Sequence, residues 1–378
     1  MSQGHPRSKE QVGLGPRLLE RPGFALPLRI LREHLWLIVP ILLYAALGQL
    51  VTWALGLTDR LFFGLYAEGI WKVFGLSAFA FAILYPFYVM IFKRPERLVA
   101  YMARDLRDRV LTPERLLSGL LVLAVMPIFL SVFTSFKILI PIIHPFGWDP
   151  TFAEWDRLLH GGRYSWELLQ PLLGRPLLTS IINAGYHLWF FILFGIVFWQ
   201  AFSLGNKVLR AQFFLAFLLT WAILGNGAAT LLSSVGPCYY GAVVGEPNPF
   251  APLMQYLQEA NEVYPVWALG VQDMLWQSYH TDIVERGHGI SAMPSMHVAA
   301  ALLFALVSWR VDRRLGALMI FFTLLIQVGS VHLGWHYAID GYVSLLATVP
   351  IWRLAGWIVA RAGGRIAEPA PAVAPAAA

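Results

Sequence analysis

Two histidines and one aspartate stand at spacings that suit nucleophilic and acid–base chemistry. His297 lies in the segment SAMPSMHV (291–298), in which Pro294 is typical of the first residue of a helix. His336 and Asp340 are four residues apart, so a helix would place them on one face. A carboxylate at that spacing can orient an imidazole ring and stabilise its charged form. These three side chains are therefore candidate catalytic residues.

The two motifs are informative together and can meet in space. In a chain of this composition, His-x3-Asp/Glu is expected by chance about 0.6 times and Pro-Ser-x-His about 0.03 times. The 39 residues from His297 to His336 suffice for one helix through a membrane and one back. Ser295 and His297 would lie in the first turn of a helix, whose free N–H groups attract anions. The pattern predicts phosphoryl transfer, in which one histidine attacks phosphorus, the other protonates the leaving oxygen and the aspartate holds the nucleophile.

Most of the surface of this chain must face lipid. Hydrophobic residues make up 58% of its 378 residues and charged residues 13%, with a mean hydropathy of +0.60, whereas a soluble domain has about 25% charged residues. That balance excludes a soluble enzyme, a disordered protein and a nucleic-acid binder. The single cysteine, Cys238, excludes an internal disulfide framework and a cysteine-rich metal site. Residues 1–34 are basic and interrupted by proline and glycine, so we expect no cleavable signal peptide.

Eight segments are long and apolar enough to cross a membrane, which takes about 20 residues. They are 35–57, 70–92, 116–136, 177–202, 211–232, 294–309, 315–331 and 335–357. The sequence therefore predicts an all-α integral membrane protein with about eight transmembrane helices and both termini on one side. We expect a basic tail at 1–34, N-terminal transmembrane helices at 35–136, a catalytic membrane domain at 137–357 and a disordered tail at 358–378.

Lysine and arginine predict the orientation of the chain. Of 28 such residues, 21 lie in the termini and in the loops on the N-terminal side, six lie on the opposite side, and Lys72 is near a helix end. The positive-inside rule then places both termini in the cytoplasm. The long loops 137–176 and 233–293 would face outward together with the histidine motifs. We expect a protein of a bacterial inner membrane whose active site faces the periplasm.

The outer loops contain three further amphipathic segments. Each has a proline at its start (Pro150, Pro249 and Pro265) and apolar residues at helical spacing, and Gly161-Gly162 follows the first segment. These signals indicate short helices. Because they are rich in tryptophan, we expect them to lie in the membrane interface. A cap packed over the bundle and a lid that admits a lipid headgroup are both open interpretations.

The motifs Pro294-Ser-Met-His297 and His336-Tyr-Ala-Ile-Asp340 resemble the second and third signature motifs of the type 2 phosphatidic acid phosphatase superfamily. Its members are membrane lipid phosphatases and phosphotransferases with a six-helix core and a metal-independent phosphohistidine mechanism. The resemblance covers roughly residues 177–357. It implies that His336 is the nucleophile, His297 the general acid and Asp340 the partner of His336, and that neither a metal nor a cofactor takes part.

The basic residues of that pattern are absent here. The arginine six residues before the nucleophile is replaced by Ser330, and the first motif, Lys-x6-Arg-Pro, would fall on Ala229 and Gly236-Pro237. The third motif without arginine, the Met-Pro-Ser-x-His sequence and the Gly-Pro followed by Tyr239 look more like the inositol-phosphorylceramide synthase branch. That branch moves a phosphorylated headgroup between lipids. Simple hydrolysis of phosphatidate is disfavoured by the same losses.

Other groups must balance the charge of a phosphate if this resemblance holds. Helix N-termini supply part of it, beside Ser295. The remaining candidates lie in the outward-facing part of the chain. For each of them the alternative is a residue at the rim of the site or a charge that only determines membrane topology. These candidates are His332, Arg286, His288, Arg175 and Tyr239.

The sequence favours a phosphotransferase that moves a headgroup from a phospholipid donor to a lipid acceptor within the bilayer. The likeness to the synthase branch suggests phosphoinositol as that headgroup. A lipid phosphatase that releases phosphate to water is the first alternative. A proton-coupled transporter with outer histidines and Asp340 as its relay is another, although the sequence has no internal repeat of the kind found in transporters. A metallohydrolase built from His332, His336 and Asp340 is the last.

Overall fold

The computed structural model describes residues 22–281 and 287–362, and these form helices and loops without a β-strand. Helices satisfy every backbone hydrogen bond within one segment, as a chain in lipid requires. The prediction of an all-α integral membrane protein is confirmed. The helices are α1 (Pro22–Glu33), α2 (Leu35–Ala54), α3 (Ala67–Lys93), α4 (Leu98–Asp105), α5 (Pro113–Ile143), α6 (Asp149–Leu159), α7 (Ser165–Leu173), α8 (Pro176–Phe202), α9 (Lys207–Leu231), α10 (Tyr240–Val243), α11 (Ala251–Val263), α12 (Trp267–Thr281), α13 (Met296–Trp309), α14 (Arg313–His332) and α15 (Ala338–Arg361).

Seven helices in the described ranges are long and apolar enough to cross a membrane, namely α2, α3, α5, α8, α9, α14 and α15. They match seven of the eight predicted spans. The remaining span is α13, whose 14 residues give a length of about 21 Å, less than the roughly 30 Å of a hydrocarbon core. Nine of its residues are buried, and it packs against α9, α14 and α15. Its neighbours therefore shield α13 from lipid.

Three of the differences between predicted and observed helix ends bear on the site. Helix α13 begins at Met296 rather than 294, and α15 begins at Ala338 rather than 335, because Ser295 and Tyr337 have extended backbones and act as N-caps. Helix α5 ends at Ile143 rather than 136, since the chain is again apolar after Lys137. The predicted boundary between the N-terminal helices and the catalytic domain consequently falls inside α5.

One hydrophobic core joins the N-terminal helices to the rest of the bundle. It contains Leu37 of α2, Phe129 of α5, Phe217 of α9 and Phe304 of α13, each at most 1% exposed. Burial of a side chain of this size contributes about 1.5–3 kcal/mol. The N-terminal helices are thus an integral part of the packed bundle.

The two long loops contain the short helices that the sequence predicts. Helices α6, α11 and α12 begin at or within two residues of the prolines that marked them. Helix α6 buries Phe152 and Ala153 and leaves Trp155, Leu158 and Leu159 exposed. Its buried face rests on the end of the bundle where these loops lie, which we call the loop end.

Candidate active site

A cavity of about 490 Å³ opens at the loop end of the bundle, and His297 and His336 both line it. Its wall is formed by α3, α5, α8, α9, α12 and α13, together with residues of the loops at 235–239, 287–291 and 335–336. Most of the wall is apolar. Within the described part of the chain, the other basic side chains in the wall are those of Lys137, His187 and His288. The two motifs thus meet at one cavity, as their spacing predicts.

His336 is held by Asp340 at the start of α15. Its Nδ1 lies 3.1 Å from Asp340 Oδ2, and the same oxygen accepts the N–H of Tyr337 at 3.2 Å. The contact does not come from a shared helix face, as the spacing had predicted, because α15 begins only at Ala338. Asp340, the third helical residue, turns back over the helix start in the manner of a capping box. In the tautomer that donates Nδ1–H to Asp340, the lone pair lies on Nε2, the nitrogen that can attack.

Asp340 also connects the two motifs. It is fully buried, and its carbonyl oxygen accepts the N–H of Ser295 at 3.2 Å. Ser295 is the N-cap of α13, which carries His297 at its second position. One hydrogen bond therefore fixes the helix of His297 relative to the carboxylate that holds His336.

The ring of His297 is packed among aromatic side chains of α8. It stacks on Tyr186 with ring centres 4.9 Å apart and lies 4.3 Å from the ring of Trp189. The Trp189 indole N–H donates to the His297 carbonyl oxygen at 3.0 Å. In the part of the chain that the structure describes, the ring nitrogens of His297 have no hydrogen-bond partner. They are free to exchange a proton with a bound molecule.

Two buried aspartates of α6 position the start of α15, and sequence reasoning missed both. Asp156 Oδ1 accepts the N–H of Ala338 at 2.8 Å, and its Oδ2 accepts the N–H of Ser165 at 3.0 Å. A carboxylate at a helix N-terminus stabilises the exposed N–H groups and the positive end of the dipole. A signal was present, since residues 149, 152, 153 and 156 share one helix face and the aspartates flank an apolar pair.

Asp149 holds the loop that precedes Pro237. It accepts the N–H groups of Val235 and Gly236, at 2.9 and 2.8 Å, and the hydroxyl of Tyr337 at 2.8 Å. Burial raises the pKa of Asp149 above its usual range, against the opposing effect of these hydrogen bonds. Burial and the nearby Asp149 raise the pKa of Tyr337, so its hydroxyl remains a donor.

Residues 234–238 lie between both histidine-bearing segments. Ser234 accepts the N–H groups of Ala292 and Met293, and Cys238 donates its N–H to the Gly334 carbonyl at 2.9 Å. Gly236 has a φ of +85°, and a Cβ atom there would lie 2.5 Å from the Trp335 carbonyl oxygen. The Gly-Pro sequence is therefore a structural connection that brings the segments of His297 and His336 together.

Comparison with protein families matches residues 150–354 to the PAP2 superfamily. The match covers more than half of the chain. This chain belongs to the PAP2 superfamily. Its members act on phosphoesters as phosphatases or phosphotransferases, so the chain is an enzyme of that general type. No curated protein and no solved structure matches it.

The superfamily assignment agrees with the resemblance seen in the motifs, and the match begins 27 residues earlier than the predicted start at 177. It therefore includes α6 and its two aspartates. The narrower likeness to inositol-phosphorylceramide synthases is not part of the match.

Three of the predicted phosphate-binding residues lie at or beside the cavity of this PAP2 chain. Tyr239 and His288 line it. The Tyr239 hydroxyl donates to the Gln272 carbonyl at 2.9 Å, and His288 Nδ1 lies 2.6 Å from Ser278 Oγ. Ser295 is fully buried, and its N–H is already used by the Asp340 carbonyl. These contacts hold the side chains of Tyr239 and His288 in the cavity wall.

Of the other three predicted phosphate-binding residues, two do not line the cavity and the third lies outside the described residues. Arg175 is exposed before α8. His332 is buried, and its Nε2 lies 2.9 Å from Thr179 Oγ1, because α14 ends at this residue and the chain turns at Gly334 before His336. His332 and His336 therefore do not lie on one helix. Arg286 lies outside the described residues.

No group of three or more His, Cys, Asp or Glu side chains in residues 22–281 and 287–362 could hold a metal ion. The metallohydrolase alternative needs His332 beside His336 and Asp340. His332 instead contacts Thr179, whose hydroxyl also lies 2.6 Å from that of Tyr256. The geometry of His336 and Asp340 therefore suits a nucleophile and its orienting carboxylate.

Lys137 is a further residue of the cavity wall that sequence reasoning did not assign to the site. In the sequence Lys137 is one of the six basic residues of the outward-facing side, and it was used only to predict the orientation of the chain in the membrane. The available signal was its position, a single lysine within the apolar run 129–143.

Proposed function

We propose that this protein is a lipid phosphotransferase that moves a phosphorylated headgroup from a phospholipid donor to the hydroxyl of a lipid acceptor. The observation that carries the proposal is that His297 and an Asp340-bound His336 line one cavity with a long apolar extension. The superfamily assignment supports phosphoester chemistry of this general type.

In the first step, Nε2 of His336 attacks the phosphorus of the donor. A P–N bond forms and the P–O bond to the lipid alcohol breaks, while protonated His297 gives its proton to the leaving oxygen. Asp340 stabilises the imidazole as it becomes positively charged. In the second step, neutral His297 takes the proton of the acceptor hydroxyl, the acceptor oxygen attacks phosphorus, and the P–N bond breaks.

The apolar part of the cavity supports a lipid as the substrate. On α5 the lining runs from Lys137 to Leu123, and these 14 residues correspond to about 21 Å along the helix. One leaflet of a bilayer has a hydrocarbon thickness of about 15 Å. A hydrocarbon chain of ordinary length therefore fits between the helices. The side chains beside it would be those of Met126, Leu130, Phe133, Leu193, Val197 and Phe217.

The distribution of charge supports an orientation with both termini in the cytoplasm and the active site outside. Labelling of single cysteines in intact cells tests it, in a background that carries Cys238→Ala. Glu154→Cys on exposed α6 should react with an impermeant maleimide, and Asp108→Cys should react only after lysis. The reverse pattern would contradict this topology.

Trapping of the intermediate tests the chemistry. Phospholipids labelled in the headgroup (inositol, glycerol, ethanolamine or phosphatidate) are offered to the purified protein and to His297→Ala and His336→Ala. We expect acid-labile label on the protein that is absent in His336→Ala, and transfer of that label to added ceramide or diacylglycerol. Release of the label to water alone would identify a phosphatase. Absence of label with every donor, together with dissipation of a solute gradient in vesicles, would replace the proposal by a transporter.

A further inference from the structure

The phosphate group that this chemistry requires has no cation at the positions where the superfamily pattern has them. Those positions hold Ser330, Ala229 and Gly236 here. Ser330 Oγ donates to the Gln327 carbonyl at 2.8 Å, and Gly236 is held by Asp149. A phosphodiester carries a full negative charge that a largely apolar cavity does not stabilise. A cation from another part of the chain must therefore serve the site.

Lys137 is the one lysine or arginine in the described part of the chain that lines the cavity of His297 and His336. It belongs to α5, which precedes the family match at 150–354. Of the described carboxylates, none lies within 4.0 Å of its ammonium group. A charged side chain within a membrane span is costly unless a partner or a ligand balances it. The cavity therefore contains a cation that no described carboxylate neutralises.

The backbone around Lys137 is fixed to the segment that leads to His297. A Cβ atom at Gly289, where φ is +94°, would lie 3.0 Å from the carbonyl carbon of Lys137. The N–H of Gly287 donates to the Tyr66 hydroxyl at 2.8 Å, and that hydroxyl lies 3.0 Å from Thr134 Oγ1, one turn before Lys137. The segment 287–291, which includes His288, thus packs on the turn of α5 that carries Lys137. The segment and this turn together form one part of the cavity wall.

We propose that Lys137 binds the phosphate oxygens of the substrate and replaces the missing basic residues of the superfamily pattern. This inference rests on the proposed phosphoester chemistry. Its ammonium group would neutralise the donor phosphate and stabilise the additional charge at the transition state. The substrate class that follows is an anionic phosphoester attached to a hydrocarbon chain. The cation of the site would then come from a helix outside the matched family region.

Orthovanadate, a phosphate mimic, tests the inference without depending on lipid turnover. The full chain is titrated with orthovanadate in detergent, and thermal protection gives an apparent Kd for the protein and for Lys137→Gln, Lys137→Arg and Lys72→Gln. Lys72 is the matched control, because it is an exposed lysine of α3 that pairs with Glu68 and does not line the cavity. Loss of a charge-assisted contact should weaken binding by about 10–100-fold in Lys137→Gln. Lys137→Arg should retain part of the affinity, and Lys72→Gln should match the unaltered protein.

A second measurement distinguishes anion binding from a structural role. A lipid alcohol product has no phosphate, so its inhibition constant should be the same in Lys137→Gln as in Lys72→Gln. Equal orthovanadate affinity in these two variants, or no protection of the unaltered protein, would overturn the role of Lys137. Failure of the proposed function would give a different result. Orthovanadate would still protect the unaltered protein against unfolding more than it protects Lys137→Gln, while no lipid phosphoester would react.

Discussion

Replacement of Asp156 by asparagine should weaken both the fold and the positioning of His336, although Asp156 lies in a loop-end helix and is not one of the three candidate catalytic residues. Its carboxylate accepts the N–H of Ala338 at 2.8 Å and, more weakly, that of Ile339 at 3.4 Å. Its second oxygen accepts the N–H of Ser165 at 3.0 Å. An asparagine side chain keeps the shape but has one acceptor oxygen, so its amide group would face a backbone donor.

The size of the effect follows from these contacts. A hydrogen bond to a charged group contributes about 1.5–3 kcal/mol, and a charge at a partly buried helix N-terminus contributes up to about 2 kcal/mol. Asp156 is fully buried, so solvent does not screen these interactions. The loss of one bond and of the charge should lower the free energy of unfolding by about 2–4 kcal/mol. Because His336 lies two residues before Ala338, kcat should fall by about tenfold or more, with a smaller change in KM.

Amide hydrogen exchange and turnover measure the two effects. In Asp156→Asn the amides of residues 338–340 should exchange faster than in the unaltered protein. The control is Glu154→Gln on the same helix, which removes an exposed ion pair with Arg157 and should leave exchange at 338–340 and kcat unchanged. If Asp156→Asn and Glu154→Gln gave the same exchange rates and the same kcat, the view that α6 positions the catalytic helix would be refuted.

Three further changes test other parts of the site. Asp340→Asn should keep the helical circular dichroism spectrum and lose turnover by about 10³-fold or more, as expected for loss of an orienting carboxylate; turnover near that of the unaltered protein would remove Asp340 from the mechanism. Gly236→Ala should lower the thermal unfolding midpoint in detergent, since its Cβ would lie 2.5 Å from the Trp335 carbonyl at a φ of +85°; an unchanged midpoint would contradict the close approach. Leu193→Trp should narrow the cavity about 10 Å from Tyr186 along α8 and shift turnover toward shorter acyl chains. The control is Phe191→Trp, at an exposed position of the same helix, which should leave the chain-length preference unchanged. Identical chain-length profiles for the two variants would argue against a hydrocarbon chain in this cavity.

The sequence was sufficient to predict the helices, and to point to three side chains that the structure brings together, because both depend on local patterns. Apolar runs of about 20 residues identified seven spans, and two short motifs identified His297, His336 and Asp340. The metallohydrolase alternative grouped His332 with His336 and Asp340, but the turn at Gly334 separates the end of α14 from those two residues.

Local patterns could mark the supporting residues as unusual but could not show what they hold, because their roles depend on distant contacts. Asp149 and Asp156 look like ordinary charges of an outer loop, yet their partners at Val235, Tyr337 and Ala338 lie 86 or more residues away. Lys137 looks like a charge at a helix end until its cavity is known. Such roles appear only when helices far apart in the chain are packed against one another.

The packing also bears on which part of this chain is the catalytic unit. The family match begins at residue 150, but Ile70 of α3 and Leu123, Met126 and Lys137 of α5 line the cavity of the two histidines. A core restricted to the matched region would hold the histidines and their aspartate without the wall that these helices provide. It would also lack the one described lysine of the cavity. Because the low polarity of a site strengthens its electrostatic interactions, an open wall would weaken the interaction of the phosphate with every remaining charge. Helices α3 and α5 therefore belong to the candidate active site in the physical sense that they contribute to its shape, its dielectric environment and its charge.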